Sequence, residues 1–358
     1  MSRITLKMIA EKADTSIGTV DRALNNREGV SEGSKARVLQ VAETLGYRPN
    51  RFASALGRKK LIRIGVAYPE EPMDFYRDID RGFDKAIEEL QDYGVVLEKI
   101  RYRTQAPAVA RARLAQIDPA NYDGLAINSA GGVSVLEIDR FAAAGIPVVT
   151  FNTDAPDSRR LFYVGNNSRQ SGLMGGELLS MFLRGKGNVT VLGNFGQTTP
   201  FIERFGGFCE YVQLEAPGMQ IYPCSECLSE PELAARNLTD LIARVPDING
   251  VFCTGYSSTI GAVQTIKALN RHDIQIVGYD LTEQTAAALW DGWCGALLYQ
   301  DPYRQGLQAV HLLVRHILEG WMPPRPRLHV DTQIILKTNL DSYMDPQREW
   351  LQSNLEQY

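Results

Sequence analysis

From residue 61 onward, short apolar or β-branched runs alternate with helix-like stretches. No other feature limits the fold of this 358-residue chain as much. The runs are 62–67, 95–100, 124–128, 147–151, 188–193, 250–254, 274–279 and 295–299, and helical periodicity fills 79–93, 135–144, 170–183, 232–243 and 259–269. Such alternation predicts parallel sheets with helices on both faces. The stretch is too long for one ordinary sheet, so two lobes are expected. Ligands of open parallel sheets sit at the carboxyl ends of strands. Several residues fall there: Phe75-Tyr76, able to stack on a ring; Asn152-Thr153-Asp154; Gly278-Tyr279-Asp280; and Tyr299-Gln300-Asp301. Carboxylate and amide groups suit polyols, because each hydroxyl both donates and accepts.

Charge divides the chain a second way. Residues 1–60 hold twelve Lys/Arg against six Asp/Glu, a balance of +6, which leaves −10 on the rest. A basic head on an acidic body points to a polyanionic partner for the head. The chain is 44% hydrophobic and 22% charged, as soluble globular proteins are. No apolar run approaches the roughly 20 residues that span a membrane. Met1–Thr5 lacks the apolar core of a signal peptide, so a cytoplasmic location without membrane partners is expected.

The head reads as helices joined by tight turns. Leu6, Ile9, Ala10 and Ala13 form one helical face, and Asp14-Thr15-Ser16 breaks it. Ser16 suits the N-cap of a second helix, with Val20, Ala23 and Leu24 inward and Ile17, Gly18, Asp21 and Arg22 outward. Ser31 caps a third helix with Val38, Val41, Ala42 and Leu45 on its apolar face, and Gly46 is placed to end it. This is the helix-turn-helix pattern, whose second helix enters the major groove of DNA. Ile17, Gly18 and Arg22 are then the candidate base readers, with Arg22 able to pair bidentately with guanine. Ser16, Thr19, Asn25 and Ser31 suit phosphate contacts. A small helical bundle that packs on another protein has the same spacing.

The motif Thr5-Leu6-Lys7-Met8-Ile9-Ala10, followed by Ser16-Ile17-Gly18-Thr19-Val20-Asp21-Arg22-Ala23-Leu24-Asn25, Val30-Ser31 and Leu45-Gly46-Tyr47-Arg48-Pro49-Asn50, resembles the DNA-binding head of lactose-repressor-type regulators (LacI/GalR). The resemblance makes Thr5 and Asn50 DNA contacts. It implies a hinge helix in 49–60 that orders on DNA, with Leu56 wedging a minor-groove base step and Ala53 beside it. One departure is Asp21, where the family usually has Ser. Its carboxylate can repel phosphate, orient Arg22 or accept from cytosine. The body resembles periplasmic sugar-binding proteins. By that likeness Asp280, Gln300 and Asn152 hold sugar hydroxyls, Asp154 lies beside them, and Arg204 reaches the pocket. Sugar binders often carry Asn-Asp where this chain has Gly255-Tyr256, so Tyr256 implies a different hydroxyl pattern or a bulkier, less polar ligand.

The expected layout is an all-α helix-turn-helix head (1–48), a hinge (49–60) and a two-lobed α/β core (61–345). The first lobe takes 61–163 and 291–325, and the second 164–290 and 326–345. Lobe crossings are expected near 163–168, 289–294 and 323–330. In the tail, 346–358, Leu351, Leu355 and Tyr358 share a helical face expected to pack on the body.

The implied function is a homodimeric repressor on double-stranded, pseudo-palindromic operator DNA, controlled by a small sugar or polyol. The rival reading is a solute-binding protein without DNA function. No G-x-G-x-x-G follows a strand, there is no P-loop, and His272, His311, His316 and His329 fit no triad or metal spacing. No enzyme activity, cofactor or metal is expected. Cys224 and Cys227 have metal or redox spacing but no second pair nearby, and read as thiols at a strand end.

Overall fold

A computed structural model describes residues 6–24, 28–45, 61–70, 73–103, 107–130, 135–194 and 199–344. The chain forms two compact units that divide near residue 61.

In the head, α1 (Leu6–Lys12), α2 (Ile17–Leu24) and α3 (Glu32–Thr44) pack around Ile9, Ala10, Ala13, Val20, Ala23, Val38 and Ala42. These are the inward residues that the periodicity predicts. The turn between α1 and α2 passes through Asp14 at φ 47°, a left-handed conformation that a short polar side chain tolerates better than most. Gly46, the hinge and the tail 346–358 lie outside the described residues.

The body builds one topology twice. In the first lobe β1 (Ile62–Pro69), α4 (Met73–Leu90), β2 (Val95–Tyr102), α5 (Pro107–Ala115), β3 (Gly124–Ile127), α6 (Val135–Ala143), β4 (Val148–Phe151) and β5 (Tyr163–Asn166) follow in order. The second lobe repeats the alternation with α7 (Ser168–Leu183), β6 (Lys186–Leu192), α8 (Thr199–Glu215), β7 (Gly218–Tyr222), α9 (Pro231–Arg244), β8 (Ile248–Cys253), α10 (Tyr256–Ala268), β9 (Gln275–Tyr279), α11 (Glu283–Trp290) and β10 (Ala296–Tyr299). Then α12 (Pro302–Glu319) packs on α4, β11 (Arg327–Val330) joins the first sheet and β12 (Gln333–Ile335) the second.

The first sheet runs β11-β5-β4-β3-β1-β2 and the second β12-β10-β9-β8-β6-β7. Central strands such as β1 are apolar along their length because helices cover both faces: Ile64 to Tyr68 are buried. The pairing is parallel throughout, except that β12 runs antiparallel to β10. Each sheet reverses its winding at one point, between β1 and β3 and between β6 and β8. Crevices open at such switch points.

The sheets also correct the lobe crossings. The first falls at 166–168, within the expected window. β10 pairs with β9 and β12, so it belongs to the second lobe, and the chain returns at 300–302 instead of 289–294. β11 pairs with β5, which moves the third crossing from 323–330 to 331–332. The first lobe thus includes 164–166 and 327–330, which the expected boundaries gave to the second. No described helix is long and apolar enough to cross a membrane.

Candidate functional site

In the head, Ser16 starts α2. Its Oγ accepts from the Thr19 amide at 3.1 Å and lies 2.9 Å from Thr19 Oγ1. This cap satisfies an orphan helix amide and fixes which residues face out. Ile17 is 49% exposed, and Gly18 and Arg22 are exposed with it. Ser31 caps α3 in the same way, accepting from the Ser34 amide and donating its hydroxyl hydrogen to Ser34 Oγ. Of the other expected DNA contacts, Thr5, Asn25, Asn50, Ala53 and Leu56 lie outside the described residues.

In the body, both switch points deliver polar side chains to one buried network. From the first lobe, Asn128 ends β3 and Asn152 ends β4. Asn128 Nδ2 donates to Asn152 Oδ1 at 3.1 Å and to Tyr76 Oη at 3.4 Å. Asn152 Nδ2 donates in turn to Gln300 Oε1 at 3.2 Å and Gln305 Oε1 at 3.1 Å. From the second lobe, Arg204 of α8 donates to Gln300 Oε1 at 3.3 Å and to the Thr254 carbonyl at 2.7 Å. Gln300 Nε2 donates to Asp280 Oδ1 at 2.7 Å, and the Tyr256 amide donates to Asp280 Oδ2 at 3.2 Å. Gln300, at the second crossing, is therefore bonded to both lobes.

The backbone marks the same place. Asn152, Asp280 and Asp301, at the carboxyl ends of β4, β9 and β10, take φ of 58°, 63° and 50°. Left-handed non-glycine residues gather where surrounding structure holds a site in shape. Burial raises the Asp280 pKa, against the lowering influence of Arg204, of the Gln300 hydrogen bond and of the Tyr256 amide.

Most of the expected cleft residues meet here: Tyr76, Asn152, Arg204, Asp280 and Gln300, with Tyr256 present through its backbone. Tyr256 Oη lies 3.3 Å from Gln284 Oε1. Phe75 stands beside the network, in the first turn of α4, which starts at 73 and not 79, and packs edge-on against Tyr76 with ring centroids 5.1 Å apart. Asp154 has no capacity left for a hydroxyl in this network. Its carboxylate is held by Arg160 at 2.5 and 2.7 Å, Arg327 at 3.1 Å, Thr150 Oγ1 and the Ala155 amide. It lines a separate cavity of about 230 Å³ beside the crossing strands, with Tyr163, Asn166, Thr199, Glu203 and Arg327.

Sequence reading missed Asn128, Thr254 and Gln305. The first two stand at strand ends, the signal that found the others. Gln305 interrupts the apolar face of α12 and is fully buried. Cys224 and Cys227 follow β7, and burial pushes both thiols up to about 11, so they stay protonated. No cluster of metal-ligating side chains exists among the described residues.

Comparison with known proteins agrees with both halves. Residues 5–50 match the lacI family of bacterial regulatory proteins, and residues 64–320 match the periplasmic binding protein domain. The chain is 26% identical over 286 residues to the "Probable HTH-type transcriptional repressor ExuR" of Bacillus subtilis, covering 77% of this chain and 81% of that one. It is 25% identical to the "HTH-type transcriptional regulator IdnR" of Escherichia coli, over 77% and 82%. Among solved structures, GanP, a glucose-galactose binding protein from Geobacillus stearothermophilus, superposes with a TM-score of 0.72 at 27% identity, over 79% of this chain and 99% of that one. The chain carries a head of the lacI family of bacterial regulatory proteins, over residues 5–50, and belongs over 64–320 to the periplasmic binding protein domain family.

Proposed function

We propose that the protein is a transcriptional repressor that binds a pseudo-palindromic operator as a homodimer and is controlled by a small carbohydrate held between the lobes of its body. In this reading Ile17, Gly18 and Arg22 read bases, and Ser16, Thr19 and Asn25 hold phosphates. Ser31 can do so only by giving up its bond to Ser34. Two copies on one operator mirror the symmetry of the site. Asn50, Ala53 and Leu56 belong to the hinge that transmits the effector signal. Acting on operator DNA puts the protein in the bacterial cytoplasm, and it acts by binding, not catalysis, as the named relatives do.

The observation that carries the effector half is the position of Gln300. One amide at a lobe crossing bonds Asn152 of the first lobe and Arg204 and Asp280 of the second. A polyol that takes over any of these bonds changes how the lobes are held. Coupling of about 1–3 kcal/mol is what allosteric proteins commonly transmit. The named function of GanP supports a carbohydrate as the ligand.

Selection of duplex DNA from a random pool tests the proposal, run with and without a mixture of sugars and sugar derivatives. A palindrome enriched in one condition and lost in the other is expected. No enrichment in either would overturn the DNA-binding half. Deleting residues 1–60 should abolish enrichment and leave carbohydrate binding intact.

A further inference from the structure

Two ions, Asp280 and Arg204, are buried in this network; their charges act on each other at a distance without forming an ion pair, and the donors of Arg204 are not all used. The Asp280 carboxylate receives the Gln300 amide on one oxygen and the Tyr256 amide, at the N-terminus of α10, on the other. A helix N-terminus supports negative charge. Arg204 is only 4% exposed, and its partners are neutral: the Thr254 carbonyl and the Gln300 side-chain oxygen. Its guanidinium lies 3.9 Å from the centre of the Tyr279 ring and 5.5 Å from that of Phe201, contacts that favour the cation but occupy none of its N–H donors in the guanidinium plane. The ion pairs of this region, Asp154–Arg160, Asp154–Arg327 and Glu203–Arg327, leave it out. Its Nε is buried with no hydrogen-bond partner. Thr254 Oγ1 is buried and unpartnered as well, on the residue whose carbonyl Arg204 holds.

A buried guanidinium with an idle donor is disfavoured unless something accepts from it. Arg204 also offers a planar fork suited to carboxylate. We infer that the effector is an acidic sugar, an aldonate or uronate, whose carboxylate is received by Arg204 Nε and the Thr254 hydroxyl. Asp280, Asn152 and Gln300 then hold its hydroxyls. This rests on the carbohydrate-effector reading above and narrows it.

The test is calorimetric titration of the full-length protein with matched probes: common hexoses and pentoses, each beside its aldonate and uronate. At least one acid is expected to bind a hundredfold or more tighter than its neutral parent. Arg204→Gln is expected to abolish that preference while circular dichroism stays unchanged. Thr254→Val, which keeps shape and removes the hydroxyl, should weaken the acid more than the neutral sugar, and it carries the test should Arg204→Gln fail to fold. A neutral sugar that binds as tightly as its acid overturns the inference and leaves the carbohydrate reading standing. An acid preference that survives Arg204→Gln, or Thr254→Val where that variant carries the test, also overturns it. Binding by neither class overturns both readings.

Discussion

Asp280 shows how one residue serves two opposed needs. Burial raises its pKa above the ordinary 3.8, so the folded chain binds this proton at higher pH than the unfolded chain does. The stability Asp280 contributes is therefore complete below its unfolded pKa and is lost as pH rises through the folded one. Effector binding has the opposite sign, because hydroxyl recognition uses the ionised form. Without effector, Asp280→Asn should gain stability over the wild type as pH rises through that window, in thermal melts. It should weaken effector binding by about 1.5–3 kcal/mol, as loss of a hydrogen bond to a charged group does. Wild-type affinity should fall on acidification at a pH above that of an exposed aspartate. An affinity that stays flat down to the ordinary aspartate range would remove Asp280 from the site. In the head, Arg22→Ala should cost about 1–3 kcal/mol and relax the preference at one base pair per half-site, read by competition with singly substituted operators. An even loss across all sequences would make Arg22 a phosphate contact instead.

At the scale of elements, Arg204 depends on how α8 crosses α7. The helices touch through glycine: a Cβ on Gly207 would lie 2.1 Å from the Arg169 carbonyl oxygen, and one on Gly172 would lie 2.1 Å from that of Arg204. Both obstacles are backbone, so the helices must part. Gly207→Ala should cost about 1–3 kcal/mol in denaturant unfolding, as overpacking does. It should also lower effector affinity, because Arg204 rides on the displaced helix. Unchanged stability would mean that the crossing is slack. The same scale shows what the sequence makes legible. Strands buried on both faces, such as β1, β3 and β9, announce themselves as apolar runs. The edge strands β7, β11 and β12 are partly exposed and short, so Gly218–Tyr222, Arg327–Val330 and Gln333–Ile335 carry no such run. Missing β11 displaced the third crossing; the second moved because β10, legible as a run, pairs with β9 and not with the first sheet. Strand-end position found Asn152, Asp280 and Gln300, because local order sets that position. It did not foretell the partners of Asp154, because Arg327 lies 173 residues away and belongs to no local pattern.

For the whole molecule, Arg327 is the outer counterpart of Gln300. From β11 in the first lobe it reaches Asp154 on its own side at 3.1 Å and Glu203 of α8 in the second lobe at 3.6 Å. Glu203 precedes Arg204, so adjacent residues of one helix tie the lobes together outside and inside the cleft. The outer pair is partly exposed and worth at most about 1 kcal/mol. Glu203→Gln should thus shift effector affinity less than tenfold, and less again at high salt. A larger, salt-independent loss would place Glu203 in the binding site itself. If effector in the body and operator at the head are coupled, the coupling acts equally in both directions. If effector changes operator affinity by some factor, operator must change effector affinity by the same factor, within about 5–150-fold for coupling of ordinary size. Titrating effector with and without saturating operator duplex, and operator with and without saturating effector, measures it both ways. Matching factors above one identify a corepressor, and matching factors below one an inducer. A factor of one in both would leave a DNA-binding head and a carbohydrate-binding body that do not communicate, and control by effector would fall.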